Sequence, residues 1–512
     1  MQSCDVCVIG GGPAGYAAAM RALDFGKRVI LIEKDKLGGA AIYNGALSSK
    51  TLWELSRDVR RLRVTERGYT VFDYKLDFPT IIKVANQAVR ERHEQLAKQV
   101  NELAEHICCD RFRFIHGFGT LKSANQIEVT TPKGVEMITA EYIVLATGSI
   151  PRKLPNVMID EQSIVTSDGI GNWTKFPDSM VILGAGVIGC EFASIFSNFG
   201  MTDVRLIDKA DHILPFEDKD ISEMITENFI ASGMTIHRNA SLESMVTDEN
   251  GRVNYTLKYK DGRKETYNVE KALISIGRVA AVDGLGAREI GLALTDANNF
   301  IVDSDGRTNI PNIFAVGDLT ADICLVNVGE LEGRHVIETM YNPGNKHLSY
   351  ENISTIMFLM PESSGVGANE QTLMAKGIPY RVATFAYNYI NRAMAMRSLK
   401  GLYKILVSDD DEMRLLGMRI VGEQSSSAIQ AAALLIHMGK GIAELSELIH
   451  PHPSIVEGAQ ECVRMLLGNS ILKPQVFPGD LRCVRVANGV ATEINYFVNG
   501  SNGVATSSVS NS

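Results

Sequence analysis

The sequence predicts an α/β protein in which two domains of the same strand-turn-helix-strand design precede a C-terminal α+β domain. Two observations carry this prediction. A glycine-rich turn between an apolar strand and a helix occurs twice, beginning at Gly10 and at Gly184. Beyond about Tyr350, short strand-like and helix-like segments alternate, which is typical of a separate mixed domain. At roughly 100–200 residues per domain, 512 residues fit three or four domains.

The first repeat is the segment DVCVIGGGPAGYAAAMRALDFGKRVILIEKD. Its glycines Gly10, Gly12 and Gly15 form a GxGxxG turn, and Glu33 follows the second strand. Such glycines let the backbone approach a pyrophosphate at the helix N-terminus, and an acidic residue at this distance accepts hydrogen bonds from ribose hydroxyls. A tight turn without a ligand is the alternative. The complete βαβ context favours a dinucleotide site.

The second repeat is the segment MVILGAGVIGCEFASIFSNFGMTDVRLIDK. It carries GxGxxG at Gly184, Gly186 and Gly189, and its second strand ends at Asp208. An aspartate here accepts from a free ribose 2′-hydroxyl and disfavours a 2′-phosphate, so we expect NAD(H) to be preferred over NADP(H). The cationic neighbours of Asp208 weaken this preference.

The composition excludes some classes of function. A net charge of −9 supplies no excess of cations for neutralising phosphates, so nucleic acid is not the expected partner. The sequence has no run of 18 or more apolar residues, so we expect no membrane span. The first strand begins almost at residue 1 with no apolar leader before it, and we expect a cytoplasmic protein.

The CxxC formed by Cys4 and Cys7 suggests redox or metal chemistry. Residues i and i+3 of a strand point to opposite faces, and no second cysteine pair at zinc-site spacing follows. We therefore expect buried structural thiols here and no metal site.

Several segments resemble the pyridine nucleotide-disulfide oxidoreductases, specifically the group of dihydrolipoyl dehydrogenase, soluble transhydrogenase and glutathione reductase. VIGGGPAG, LATGS and NIFAVGD look like the three FAD-site segments, and GAGVIGCEFASIF looks like the NAD-site turn in its transhydrogenase form. RAMAMRSLKGLYKIL and HPHPSIVEG look like the dimerisation domain. The resemblance covers about residues 4–470.

The resemblance implies an FAD cofactor, with Thr147 and Gly148 of LATGS at its site and Asp318 on its ribityl–phosphate portion. It also implies that Lys50 lies near flavin N5 and pairs with Glu191. A cation beside N5 stabilises negative charge on the flavin and helps to position the nicotinamide. The alternative for Lys50 is a surface lysine of a helix.

The resemblance further implies a homodimer in which a His–Glu pair reaches the flavin of the partner subunit. His452 and Glu457 match that pair, and His450 matches a less important histidine before it. A carboxylate orients the imidazole and raises its basicity, so the histidine can act as acid or base. The alternative is a structural interface histidine, because its usual thiol partner is missing.

The family carries its redox-active cysteines in the frame that here reads LGGAAIYNGALSSK. Ala41 and Ala46 occupy those two positions, so no disulfide can form there. The neighbouring residues differ from the family as well, which favours natural divergence over two engineered alanines. The space near the flavin is left for a different acceptor or for Tyr43.

These observations leave three hypotheses open. The first is an FAD-dependent NAD(P)H oxidoreductase that passes electrons to a nicotinamide nucleotide, a quinone, a dye or oxygen. The second is a flavoprotein-fold scaffold or partner-binding subunit, and the third is a non-redox lyase or isomerase. The predicted domains are 1–150 (FAD, first part), 151–278 (NAD(P)), 279–350 (FAD, second part), 351–470 (dimerisation) and 471–512 (an extension with a disordered end).

Overall fold

The computed structural model describes residues 2–43, 45–64, 68–320, 323–342, 344, 347–494 and the backbone of 504–508. The chain divides into two compact units. The first unit comprises Met1–Gly184, Asn198–Asp203 and Leu242–Leu348, and the second comprises Ala185–Ser197, Val204–Ser241 and Ser349–Ser512.

Helices and strands follow one another along the whole described chain. The helices are α1 (Pro13–Asp24), α2 (Gly39–Ile42), α3 (Ala46–Leu62), α4 (Phe78–Glu102), α5 (Val187–Phe199), α6 (Lys219–Ala231), α7 (Val326–Tyr341), α8 (Glu370–Ala375), α9 (Asn391–Met396), α10 (Ser425–Ala428), α11 (Gln430–Met438), α12 (Ala443–Ser446) and α13 (Glu457–Leu467). The strands are β1 (Ser3–Ile9), β2 (Val29–Glu33), β3 (Phe112–His116), β4 (Phe118–Leu121), β5 (Gln126–Thr131), β6 (Gly134–Leu145), β7 (Ser149–Pro151), β8 (Ile164–Val165), β9 (Ser179–Leu183), β10 (Asp203–Ile207), β11 (Thr235–His237), β12 (Ala240–Thr247), β13 (Val253–Tyr259), β14 (Lys264–Val269), β15 (Lys271–Ile274), β16 (Arg278–Ala280), β17 (Ile313–Ala315), β18 (Ser354–Met357), β19 (Ser363–Gly367), β20 (Tyr380–Ala386), β21 (Leu402–Ser408), β22 (Leu415–Val421), β23 (Leu481–Ala487), β24 (Val490–Ile494) and β25 (Val504–Ser508).

The main sheet of the first unit has the strand order β3-β2-β1-β6-β5-β4, with β17 also paired to β6. Strands β1, β2, β6 and β17 run parallel, and their apolar sequences reflect burial on both faces. Ile9 lies opposite Leu145, which lies opposite Ala315. The residues that follow these three strand ends therefore meet at one edge of the sheet.

Helices α1 and α7 pack closely against one face of this sheet. A Cβ atom added at Gly333 of α7 would lie 2.1 Å from the carbonyl oxygen of Ala14 in α1. Ala18 and Ala22 are fully buried in the same core. Small side chains thus allow the helix that follows the first glycine turn to sit directly against α7.

The two cysteines of the CxxC in β1 lie on the same side of the sheet, so the expectation of opposite faces is wrong. Cys4 and Cys7 belong to one core cluster, and their thiols form a hydrogen bond. The amides of Asp5 and Val6 both donate to the carbonyl of Arg28, at 2.9 and 3.1 Å. Two consecutive residues opposite one partner form a bulge, which breaks the alternation of side chains between the faces.

Parallel strands also flank the second glycine turn. In the first unit β15 pairs in parallel with β8 and β9, and in the second unit β10 pairs in parallel with β11. The β13–β14 hairpin extends the first unit with antiparallel pairing.

The C-terminal part of the second unit is an antiparallel sheet of order β18-β19-β22-β21-β20-β23-β24-β25. Helices α11 and α13 contribute Leu435, Val463 and Leu466 to the core on its face. The segment expected as an extension after residue 470 adds β23 beside β20, followed by β24. Of the end expected to be disordered, 504–508 forms β25, while 495–503 and 509–512 lie outside the described residues. None of the described helices is both long enough and apolar enough to cross a membrane.

Candidate functional site

The first glycine turn has the shape that a dinucleotide requires. Gly10 has a φ of +111°, and an added Cβ would lie 2.3 Å from the carbonyl oxygen of Ala146. A Cβ at Gly15 would lie 1.9 Å from the carbonyl oxygen of Gly10, whereas a Cβ at Gly12 would meet nothing within 4 Å. Gly10 and Gly15 therefore serve the close packing of strand and helix, and Gly12 leaves open space at the N-terminus of α1, where a phosphate is favoured.

Glu33 closes this turn from the end of β2. Its Oε2 accepts a hydrogen bond from the amide of Gly11 at 2.6 Å, and its Oε1 accepts from the amide of Asp35 at 2.7 Å. The carboxylate is thus held at the glycine turn by backbone amides. This is the position from which an acidic residue reaches ribose hydroxyls.

The second glycine turn repeats this arrangement. Gly184 has a φ of +103° and an added Cβ would lie 2.5 Å from the carbonyl oxygen of Ser275, while Gly186 has open space within 4 Å. Asp208 accepts from the amide of Ala185 at 2.8 Å and from the amide of Ala210 at 2.9 Å. Gly189, the last glycine of the motif, lies in the first turn of α5.

Residues after β6 and β17 extend the first site along the same sheet edge. The Thr147 hydroxyl donates to the carbonyl of Ala281 at 2.7 Å, beside Gly148, whose φ is +70°. Asp318 lies in a short 3₁₀ turn, Gly317–Leu319, and accepts a hydrogen bond from the Ser149 hydroxyl.

Arg278 is a site residue that sequence reasoning missed. Its Nε donates to the Ser149 hydroxyl and its Nη2 to the Ser149 carbonyl, both at 2.7 Å. The cation therefore fixes the serine that donates to Asp318. The only sequence signal was a lone arginine after Gly277, and it lies 129 positions from its partner.

The stretch that carries Ala41 and Ala46 lies beside the first glycine turn. The amide of Gly38 donates to the carbonyl of Gly11 at 2.8 Å. Ala41 lies on α2, and Ala46 is the first residue of α3. Lys50 lies one turn further along α3, with its Nζ 3.4 Å from the Ser49 hydroxyl.

Tyr43 packs towards α4. Its ring centroid lies 5.8 Å from that of His93 and 4.9 Å from Nζ of Lys36. Burial, together with the nearby carboxylates of Asp35 and Glu33, raises the pKa of its hydroxyl. Its neighbour Asn44 lies outside the described residues.

All eight cysteines lie in the described part of the chain, and none of them forms a disulfide there. Cys109 and Cys324 are exposed, and the other six are buried.

Glu191 and the histidine segment lie in the second unit. Glu191, on α5, is buried, and its Oε1 accepts from the amide of Phe358 at 3.0 Å. His452 is exposed, and its Nδ1 contacts Oε1 of Glu457, the first residue of α13. Burial lowers the pKa of His450. The predicted His–Glu pair is therefore assembled within one chain, with the His452 ring open to solvent.

Comparison with known proteins agrees with this geometry. Residues 4–342 match the pyridine nucleotide-disulphide oxidoreductase family, and residues 353–463 match its dimerisation domain. Dihydrolipoyl dehydrogenase of Chlamydia muridarum is 31% identical over 462 residues, which is 89% of this chain and 95% of that protein. The mitochondrial dihydrolipoyl dehydrogenase of Schizosaccharomyces pombe is 30% identical over 90% of this chain and 89% of that protein.

Solved structures show the same fold. LpdA of Mycobacterium tuberculosis superposes with a TM-score of 0.82 at 26% identity, covering 90% of this chain and 99% of LpdA. The Cu(II) complex of the HOCl-induced flavoprotein disulfide reductase RclA of Escherichia coli superposes with a TM-score of 0.80 at 26% identity. The match covers 91% of this chain and 100% of the RclA chain. The predicted fold class, two Rossmann-like domains and a C-terminal α+β dimerisation domain, is confirmed.

Proposed function

Because the chain belongs to the pyridine nucleotide-disulphide oxidoreductase family, we propose that it is an FAD-dependent NADH oxidoreductase that delivers electrons to an acceptor other than a disulfide. The FAD and nicotinamide nucleotide dependence follows from the family, and the match to the dimerisation domain supports a homodimer. The single observation that carries the choice of acceptor is the pair of alanines, Ala41 and Ala46, in the family's cysteine frame.

The residues of the first site fit FAD. Gly12 leaves room for the pyrophosphate, Glu33 faces the ribose position, and Asp318 is held at the edge where the ribityl–phosphate portion would lie. FAD supplies two-electron chemistry, taking a hydride from a nicotinamide and passing electrons on. This chain would bind and orient it.

The second site favours NADH. Asp208 already carries a negative charge at the glycine turn, held by the amides of Ala185 and Ala210. A 2′-phosphate placed there would be repelled, whereas a free 2′-hydroxyl can donate to the carboxylate. The preference for NADH over NADPH rests on this charge.

The thiol pair of Cys4 and Cys7 is not suited to replace the missing cysteines. Cys4 and Cys7 are buried in β1, inside the sheet. The hydrogen bond with the Cys4 side chain and burial raise the pKa of Cys7, which opposes formation of the reactive thiolate. We infer that the acceptor is a nicotinamide nucleotide, a quinone, a dye or oxygen.

Lys50 and the His–Glu pair have assignable roles in this scheme. The Lys50 ammonium would stabilise negative charge beside the bound cofactor. His452, oriented by Glu457 through Nδ1, would exchange a proton with the acceptor at Nε2 from the partner subunit.

An anaerobic titration of the purified yellow protein tests the proposal by counting electrons. A flavin without a disulfide relay takes up one equivalent of NADH per FAD, whereas a flavin with a relay takes up two. We expect uptake of one equivalent of NADH per FAD and faster flavin reduction by NADH than by NADPH. We also expect turnover with benzoquinone or dichlorophenolindophenol and no turnover with lipoamide or oxidised glutathione. A Cys4→Ala/Cys7→Ala variant is the matched control and should keep the quinone activity.

Two results would refute the proposal. Uptake of a second equivalent that disappears in the cysteine variant would identify Cys4 and Cys7 as the relay. A flavin that neither nucleotide reduces would favour the alternative, a flavoprotein-fold scaffold. The scaffold hypothesis predicts a dimer whose binding partner is recovered by affinity capture regardless of nucleotide.

A further inference from the structure

Tyr403 of β21 is fully buried beneath the segment that joins His452 to Glu457. Its hydroxyl donates to the carbonyl of Ile455 at 2.8 Å. The same carbonyl accepts from the amide of Gly458 at 3.2 Å, in the first turn of α13. The Tyr403 hydroxyl therefore stabilises the turn that lies between His452 and Glu457.

The Tyr403 ring also determines how closely α13 packs against the sheet. A Cβ added at Gly458 would lie 2.4 Å from Cδ2 of this ring, so only glycine allows this approach next to Glu457. On its other side the ring stacks on Tyr387, with centroids 5.7 Å apart and planes 14° from parallel. Burial raises the pKa of Tyr403, which keeps the hydroxyl protonated and able to donate.

We propose that Tyr403 is a positioning residue for the His452–Glu457 pair. It acts by fixing the turn at Ile455 from which Glu457 reaches the imidazole. Reaction rates fall steeply when a catalytic group is misplaced by about 1 Å, so loss of this anchor should be visible in proton transfer. The inference rests on the proposed function, in which this pair handles the acceptor's proton.

The test separates the two halves of the reaction, with benzoquinone as the acceptor. The overall reaction, NADH + H⁺ + quinone → NAD⁺ + hydroquinone, requires protons only when the quinone is reduced. The variant is Tyr403→Phe, which removes the hydroxyl and keeps the ring. Its matched control is Tyr380→Phe, which removes another buried tyrosine hydroxyl, one that donates to Oε2 of Glu370 at 2.8 Å.

We expect Tyr403→Phe to slow the quinone step on the order of tenfold and to shift its pH profile in the same direction as Glu457→Gln does. Flavin reduction by NADH should stay unchanged, and Tyr380→Phe should leave both steps and the pH profile unchanged. Hydrogen exchange of the Gly458 amide, measured by mass spectrometry of the 450–460 peptide, should speed up on the order of tenfold in Tyr403→Phe only.

The outcomes distinguish the inference from the function on which it rests. If His452→Asn slows the quinone step and Tyr403→Phe does not, Tyr403 is only a core residue. An identical exchange rate in Tyr403→Phe and the native protein also overturns the inference. If His452→Asn leaves the quinone step unchanged, the proton-transfer role of the pair is refuted, whatever Tyr403→Phe does to the exchange rate.

Discussion

Replacing Lys404 by methionine should cost the second unit several kcal/mol of stability. The Lys404 ammonium is buried at 1% exposure, and its Nζ lies 3.0 Å from Asp218, 2.7 Å from Asp220 and 2.6 Å from Glu370. Burial lowers its pKa, but the three carboxylates outweigh this and raise it. The lysine therefore stays charged at neutral pH and compensates the acidic cluster.

The expected magnitude follows from the distances. Oxygens of the three carboxylates lie within 4.8 Å of one another. Without the lysine, the buried Asp218 and the partly buried Glu370 would repel each other by about 3 kcal/mol at an effective dielectric constant near 20. Removing one member of a buried ion cluster costs about 3–5 kcal/mol, which agrees with this estimate. The Lys404→Met variant should lose about 3–5 kcal/mol of unfolding free energy. The double variant Lys404→Met/Asp218→Asn should regain at least half of that loss.

The assay must report on the second unit, because both tryptophans, Trp53 and Trp173, lie in the first. Urea unfolding followed by far-UV circular dichroism, with hydrogen exchange in β21, meets this requirement. Lys440→Met, at an exposed lysine 4.0 Å from Glu444, is the matched control and should change stability by less than about 0.5 kcal/mol. A loss below about 1 kcal/mol in Lys404→Met, or a double variant no more stable than the single one, would refute the reasoning.

Three further predictions concern the nucleotide preference, the thiols and the C-terminus. Asp208→Ser should reduce the NADH-to-NADPH ratio of flavin reduction rates by about 10- to 100-fold, because a negative charge opposite the 2′-phosphate is removed; an unchanged ratio would contradict the charge argument. With a thiol-specific dye at pH 8, Cys109 and Cys324 should react first, because burial raises the pKa of Cys462 and raises that of Cys483 to about 12; rapid labelling of either buried thiol would be inconsistent with this core. A chain ending at residue 470 should aggregate in light-scattering measurements, because loss of β23 leaves β20 as an open edge, whereas a chain ending at 494 keeps that pairing and should remain dispersed.

Local features of the site could be predicted from the sequence. The glycine turns and their acidic residues, Glu33 and Asp208, lie within single βαβ units, where spacing along the chain determines position in space. The contact between His452 and Glu457 was expected from the family resemblance, and the two residues are separated by one short turn.

Contacts between distant segments could not be predicted. Arg278 reaches Ser149 because β16 pairs with β7, and Lys404 reaches Asp218 across 186 positions. No periodicity in the sequence reports such pairings. The shared face of Cys4 and Cys7 was missed for another reason, because a bulge changes the side-chain alternation without changing the apolar pattern.

The carboxylates of Glu33 and Asp208 have a consequence for nucleotide affinity. Each carboxylate already accepts a hydrogen bond from an amide of its own glycine turn. Glu33 accepts from Gly11, and Asp208 accepts from Ala185. The two turns are therefore preorganised, and their conformational entropy is lost during folding and not on association. Most of the interaction energy of an arriving nucleotide can then appear as affinity, and neither turn needs a lid movement to reach its binding shape.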